Sequence, residues 1–199
     1  MISGFNCGDV LRNVTIEHRQ IKYNRDIEIT TESCCILYLI SGRCCIPKSD
    51  ITLTSASPTI LDAGRHTVQC RLGGDAVVEI VVVHINRERL FHTAPQCREQ
   101  QRFEAAVLRA IATSVSVDDL ASVCCLSVST FKRRFFDYYG TPPHRWLLWR
   151  RLEIAEAMLR HTTIPTFVVA HLCGFINVSH FIATFKRRYN VTPSRISPQ

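Results

Sequence analysis

Two stretches of this chain repeat one pattern fifty residues apart, and this duplication limits the fold more than any other feature of the sequence. Ser127-Val128-Ser129-Thr130-Phe131-Lys132-Arg133-Arg134-Phe135 lines up with Asn177-Val178-Ser179-His180-Phe181-Ile182-Ala183-Thr184-Phe185. Each stretch follows a short apolar segment containing Ala121 or Ala170, and each leads to a proline-bearing segment, Thr141-Pro142-Pro143 or Thr192-Pro193. Phenylalanines at i and i+4 share one helix face, so Phe131 with Phe135, and Phe181 with Phe185, turn inward and leave the intervening residues outward. Helix, tight turn and second helix in this pattern form a helix-turn-helix unit, and the chain carries two.

Helical periodicity covers the rest of this half. Phe103, Val107, Ala110 and Ile111 give one apolar face, followed by predicted helices over 117–124, 128–138, 143–160, 165–173 and 178–188. Ser116 caps a helix that opens with Asp118 and Asp119, and Ser127 caps the next. Gly140, Gly174 and Asn190 accept the left-handed angles of helix ends. The joining segment 143–160 spans about 27 Å as a helix. Major-groove segments on one side of B-DNA lie about 34 Å apart. A rod of this length therefore holds two reading helices in roughly the register of successive grooves. Its row Leu148, Leu152, Ala155 and Leu159 faces both units, while Trp146, Trp149 and Met158 read as core.

The first half has a different period. Residues 13–20 and 27–31 alternate, 34–40 is an apolar run closed by Ser41-Gly42, and 51–54, 67–72 and 76–85 are rich in Val, Ile and Thr. Gly42, Pro47, Pro58, Gly64 and Gly73-Gly74 fall between these runs as turn residues. The predicted architecture is α+β: a small N-terminal β-barrel or truncated jelly roll over residues 1–95, a linker over 96–102, and an all-α double helix-turn-helix domain over 103–199.

Charge follows the same division. Residues 1–95 hold ten Lys/Arg and ten Asp/Glu, whereas residues 96–199 hold fourteen and seven and carry the whole net charge of +7. A neutral half that senses or associates, joined to a basic half that meets a polyanion, fits this division; so does a basic domain that is merely soluble. The run from Ala76 to Ile85 is too short to cross a membrane, and the N-terminus lacks a basic start and an apolar core, which points to the cytoplasm. The ten cysteines include the doublets Cys34-Cys35, Cys44-Cys45 and Cys124-Cys125 but no C-x-x-C. Adjacent cysteines on a strand face opposite ways, so they read as small buried hydrophobes rather than as a metal site or redox switch. No metal, cofactor or catalytic residue is expected. His18, Lys22, Arg25, His66 and His84 read as ordinary strand or surface residues.

With these residues in view, Ile164, Ala170, Gly174-Phe175, Ser179, Phe181, Phe185-Lys186 and Thr192-Pro193 resemble the signature of the AraC/XylS family of transcription regulators. The resemblance continues upstream through Asp119-Leu120-Ala121, Leu126-Ser127, Ser129, Arg151-Leu152, Ala155 and Met158-Leu159, and covers about residues 103–197. It implies a double helix-turn-helix module that binds double-stranded promoter DNA and commonly activates transcription, with RNA polymerase as a partner. The N-terminal strands are more vaguely similar to that family's barrel-like regulatory domain, which implies a small-molecule effector or partner protein there. The helical pair through which such regulators dimerise is largely missing, and self-association would use another surface, a sheet edge or the 103–112 helix.

Carried onto this chain, the resemblance places base contacts at Ser129, Lys132 and Arg133 in the first unit. In the second they fall at Asn177, Val178, Ser179 and Ile182, beside Ala183. Arg133 can pair with guanine in bidentate fashion, whereas Val, Ile and Ala offer only methyl contacts to thymine. Arg134, Lys186, Arg187 and Arg188 are assigned to phosphate, with a solvated basic face as the alternative. The leading functional reading is a sequence-specific regulator. An adaptor that binds another regulator or RNA polymerase, with weak DNA affinity of its own, is the runner-up. A cysteine-zinc methyl acceptor of DNA repair is a third reading, which the missing C-x-x-C disfavours.

Overall fold

A computed structural model describes residues 14–55, 57–74, 77–86, 90, 98–113 and 115–196. Six strands form one antiparallel sheet: β1 (Val14–Ile21), β2 (Arg25–Ser41), β3 (Arg43–Ile46), β4 (Ile51–Leu53), β5 (Thr59–Arg71) and β6 (Val78–Ile85). Their order is β1-β6-β2-β5-β3-β4, so β1 and β4 are edges and the sheet is open rather than closed into a barrel. It is nevertheless strongly coiled, because one buried cluster draws side chains from all six strands, from Ile21 on β1 to Leu53 on β4.

The unbroken apolar run of β2 follows from burial on both faces. Cys35, Leu37 and Leu39 point into the cluster within the coiled sheet. Cys34, Ile36 and Tyr38 point the other way, into a second cluster shared with the helices. On β6, Val78, Ile80 and Val82 take the first face and Val81, Val83 and Ile85 the second. The sheet is thus the middle layer of the molecule.

Two sequence expectations change here. The predicted strands 27–31 and 34–40 are one strand, joined through a register shift against β5 between Thr31 and Cys34. Gly64, expected in a turn, lies inside β5 opposite Thr31 at φ 140°, where a glycine accommodates the irregularity. Gly42 does make its turn: at φ 86° an added Cβ would approach the Val78 side chain within 2.6 Å.

The helices are α1 (Arg98–Ala112), α2 (Val117–Val123), α3 (Val128–Tyr139), α4 (Pro143–His161), α5 (Thr166–Leu172) and α6 (Val178–Tyr189). Helix α1 begins inside the segment expected as a linker; residues 96 and 97 of that segment lie outside the described residues, as do Cys7 and Cys97. No helix among the described residues is long and apolar enough to cross a membrane. Arg151 of α4 donates to the carbonyls of Ala110 (2.8 Å) and Thr113, satisfying the C-terminal end of α1 and tying it to α4.

The duplication extends to the backbone. The Leu126 amide donates to the Ala121 carbonyl, and the Phe175 amide donates to the Ala170 carbonyl, each at 2.9 Å. Cys125 (φ 55°) and Gly174 (φ 75°) take the left-handed position of each turn. Ser127 and Asn177 cap the second helices by accepting from the Thr130 and His180 amides. Gly140 (φ 62°) and Asn190 (φ 59°) end those helices in the same conformation. The first helices correspond forty-nine residues apart and the second helices fifty, so the second turn is one residue longer. The additional residue is Ile176, which is 86% exposed.

Two stability predictions follow from these backbone and cap geometries. Cys125 is exposed and pays the left-handed penalty of an L-residue without burial in return. Cys125→Gly should raise the unfolding free energy by about 1 kcal/mol in urea titrations. In the cap of α2, the Ser116 hydroxyl and amide donate to Asp119 and hold its carboxyl below the usual value of 3.8. A depressed acid favours the fold above its unfolded pKa and loses that contribution as pH falls through the folded one. The stability difference between the wild type and Asp119→Ala should therefore be constant above about pH 5 and vanish at the acid end, as read by unfolding at a series of pH values.

Candidate nucleic-acid interface

The reading faces are built by what lies beneath them. In the first unit Phe131, Phe135 and Tyr139 form an inward aromatic row, with ring centroids 5.7 and 4.5 Å apart, and Trp146 of α4 continues it 4.7 Å from Tyr139. In the second, Phe181, Phe185 and Tyr189 repeat the row at 5.5 and 4.6 Å. All four phenylalanines are fully buried. Burying a side chain of this size is worth about 1.5–3 kcal/mol, enough to fix how each helix is rotated about its axis. Phe103 of α1 adds a cover to the first unit, 5.5 Å from Phe131.

That rotation places Ser129, Lys132 and Arg133 on the exposed side of α3, and Ser179, Ile182 and Ala183 on the exposed side of α6. Neither face is buried against the sheet. Lys132 and Arg133 also line a groove of about 660 Å³ shared with Asp137, Val117, Phe136, Pro143 and His144, so the outer wall of α3 carries two cations and one carboxylate over a largely apolar floor. On α6, Val178 is half-buried, and Asn177 is exposed with its side-chain oxygen engaged by the His180 amide at 3.0 Å. Asn177 therefore positions α6 as its cap.

The cations predicted for phosphate differ from one another. Lys186 and Arg187 are exposed at the end of α6, and Arg134 is half-buried on α3. Arg188 turns inward instead. Its guanidinium lies 5.0 Å from the centre of the Trp149 ring and donates to Glu153 at 3.4 Å. Glu153, buried on α4, also accepts from Arg150 at 2.7 Å, and Arg150 lies 5.0 Å over Trp146. Burial pushes the Glu153 carboxyl above its usual value, and the two arginines pull it back. One carboxylate thus links α4 to α6. Glu156, also buried on α4, pairs with Arg160.

Two further exposed residues, neither assigned a contact from the sequence, lie beside these positions. His180 sits beside Ser179 on the outward side of α6. Its signal was position alone, as the counterpart of Thr130. Ile176 projects from the longer second turn, and only the backbone alignment of the two turns exposes it as an additional residue. Among the described residues no three His, Cys, Asp or Glu side chains cluster as metal ligands. His18 and His84 meet Glu79 and Glu17 across the β1–β6 pair, at 2.7 and 3.5 Å.

Two helix-turn-helix units braced on one shared helix, each presenting a solvent-facing second helix, define the class as a tandem helix-turn-helix module. Residues 120–198 match the family model described as a helix-turn-helix domain. The probable transcriptional regulator LumQ of Photobacterium leiognathi is 37% identical over 81 residues, 41% of this chain and 33% of LumQ. The transcriptional activator RhaS of Enterobacter sp. strain 638 is 35% identical over 85 residues, 43% of this chain and 31% of RhaS. A solved AraC-type regulator from Chromobacterium violaceum is 31% identical, covering 48% of this chain and 88% of that one, with a TM-score of 0.42. The chain spans about a third of the length of the curated relatives it matches. Over residues 120–198 the chain thus carries a helix-turn-helix domain of the AraC type, similar to that of these regulators.

The Glu153 link predicts a local effect. Glu153→Gln keeps the volume but leaves Arg150 and Arg188 without their counter-charge, which should cost roughly 2–4 kcal/mol. Hydrogen exchange should show α6 losing protection before α3, because Arg188 of α6 is held by Glu153.

Proposed function

We propose that this protein is a sequence-specific DNA-binding regulator of transcription that inserts α3 and α6 into successive major-groove segments of promoter DNA, and that it activates. The observation that carries this reading is the pairing, twice over, of a fully buried aromatic row with an exposed outward face on the same short helix. Helix α4, about 28 Å long, comes close to the roughly 34 Å that separates successive grooves. The name of RhaS as an activator favours the sign of regulation, with RNA polymerase as the protein met at the promoter and the cytoplasm as the place of action.

In this reading Arg133 and Lys132 read guanine edges and Ser129 adds a polar contact. The second unit contributes shape and methyl contacts through Val178, Ile182 and Ala183, with Ser179 and His180 as its polar contacts. Asn177 serves first as the cap. Lys186, Arg187 and Arg134 neutralise phosphates; Arg188, held by Glu153, orients α6 instead. The N-terminal sheet modulates the module through an effector or partner protein. A crevice of about 400 Å³ where Tyr38 and Leu39 meet Thr113, Phe167 and His171 would let one effector touch both halves. The Tyr38 hydroxyl is buried there with no hydrogen-bond partner among the described residues.

The exposure of Ile176 and Ile182 favours the adaptor as the second reading, since apolar side chains at those places suit a protein surface. Mobility shifts with promoter fragments at several salt concentrations separate the two. Arg133→Ala should cost roughly 1–3 kcal/mol on a preferred site and relax base preference at one position, whereas Arg187→Ala should weaken all sequences evenly and lower the salt slope by about 1. Binding that shows no salt dependence, or a base preference untouched by Arg133→Ala, would turn the assignment toward the adaptor.

A further inference from the structure

Two of the three cysteine doublets lie on strands, and in both the neighbours face opposite ways, as the sequence implies. On β2, Cys34 faces the helices while Cys35 faces the interior of the sheet. On β3, Cys45 turns toward Gln69, whose side-chain oxygen accepts from it at 3.6 Å. The close pair lies across strands instead. Cys44 of β3 is the direct register partner of Cys70 of β5, and their sulfurs are 3.5 Å apart inside the β-cluster.

We propose that Cys44 and Cys70 are a redox modification site, a vicinal dithiol that a peroxide closes into an intramolecular disulfide and that thiol reductants reopen. Directly opposed residues of an antiparallel pair have Cα atoms about 4.5–5.5 Å apart, within the span a disulfide bridges. Bringing the sulfurs to bonding distance takes about 1.5 Å of approach, which side-chain rotation supplies without moving the backbone. Oxidation of such a pair therefore makes a bond across strands that are already in register.

The two thiols are not equivalent. The Cys44 thiol donates to the Cys70 sulfur, which lowers the Cys70 thiol below its usual value of 9.0 with help from Arg71 and Arg25, while Asp26 and burial oppose the shift. The same hydrogen bond, with burial, pushes Cys44 upward. Cys70 is thus the attacking sulfur and Cys44 the resolving one. The Cys70 thiolate attacks a peroxide oxygen and breaks the O–O bond, giving a sulfenic acid and hydroxide. The Cys44 sulfur then attacks the Cys70 sulfur and expels a second hydroxide, and the protons of the two thiols complete two waters. Both sulfurs are reduced before the step and linked after it; the peroxide is the oxidant.

Access comes from the sheet edge. Strand β3 is held between β5 and the three-residue edge strand β4, and its ladder with β5 is only three pairs long, Arg43 with Arg71 to Cys45 with Gln69. Short edge ladders open more readily than central strands and admit a molecule as small as hydrogen peroxide. The proposal does not depend on the DNA-binding reading, because neither cysteine touches the helices.

The test is peptide mass mapping of the full-length reduced protein after treatment with hydrogen peroxide, alkylation of remaining thiols and tryptic digestion. The expected product joins the peptide 44–48 to the peptide 66–71, two hydrogens lighter than the sum of the two, and dithiothreitol separates them. Cys45→Ala should keep the link and Cys44→Ala should abolish it, with dimedone then trapping Cys70 as sulfenic acid. Oxidation should also raise the thermal midpoint by roughly 10 °C, because the bond closes a loop of some 26 residues. Oxidation of exposed Cys125 without any 44–70 link, or a link retained in Cys44→Ala and lost in Cys45→Ala, would overturn the proposal. The first of these results does not depend on whether a variant folds, since it is read on the wild-type map.

Discussion

Helix α4 is buried on every side from Leu152 to Leu159, and the arrangement of the rest depends on that burial. A helix with no solvent-facing stripe must be surrounded, and α4 is surrounded by α1, both helix-turn-helix units and the helix-facing side of the sheet. The apolar positions supply the attraction, while Glu153 and Glu156 supply the orientation. Carboxylates in a buried helix require partners, so the arginines that answer them are drawn inward. The position of the second recognition helix therefore rests on an ion pair as well as on packing.

The same constraint accounts for the sheet. Strands β2 and β6 present Ile36, Tyr38, Val81 and Val83 to the helices, and their alternate residues to the coiled interior. A strand between two apolar layers has no polar alternation to show. This is why 34–40 reads in sequence as a continuous apolar run and 76–85 as one interrupted only by Glu79 and His84. The Cys44–Cys70 pair belongs to the interior layer, away from the α4 contacts, which makes chemistry there separable from the packing of α3 and α6.

The two units are unequal in a physically interpretable way. The first has an outer wall of two cations and one carboxylate over a largely apolar groove, and an extra aromatic cover from Phe103. The second has a more apolar outer face and a longer turn carrying Ile176, and one of its arginines, Arg188, is committed to α4. The duplicated scaffold therefore presents two outward helix faces of different chemistry, one more polar and one more apolar.

Much of this was legible in the sequence because it is set locally. Helix starts at Ser116, Ser127 and Asn177, ends at Gly140 and Asn190, and the inward rows Phe131–Phe135 and Phe181–Phe185 depend on side chains a few residues away, and all occur where the pattern predicts them. The strand content was legible from composition, but its continuity and open edges were not, since pairing register depends on residues far along the chain. Arg187 and Arg188 are indistinguishable in sequence; only Glu153, thirty-five residues away from Arg188, separates a solvent-facing cation from a structural one. The Cys44–Cys70 contact escapes a sequence reading for the same reason, as the thiol that Cys44 meets is across a strand pair rather than beside it. Short-range periodicity and caps determined which elements form and which way they face, whereas long-range pairing decided which charges stay available and which sulfurs meet.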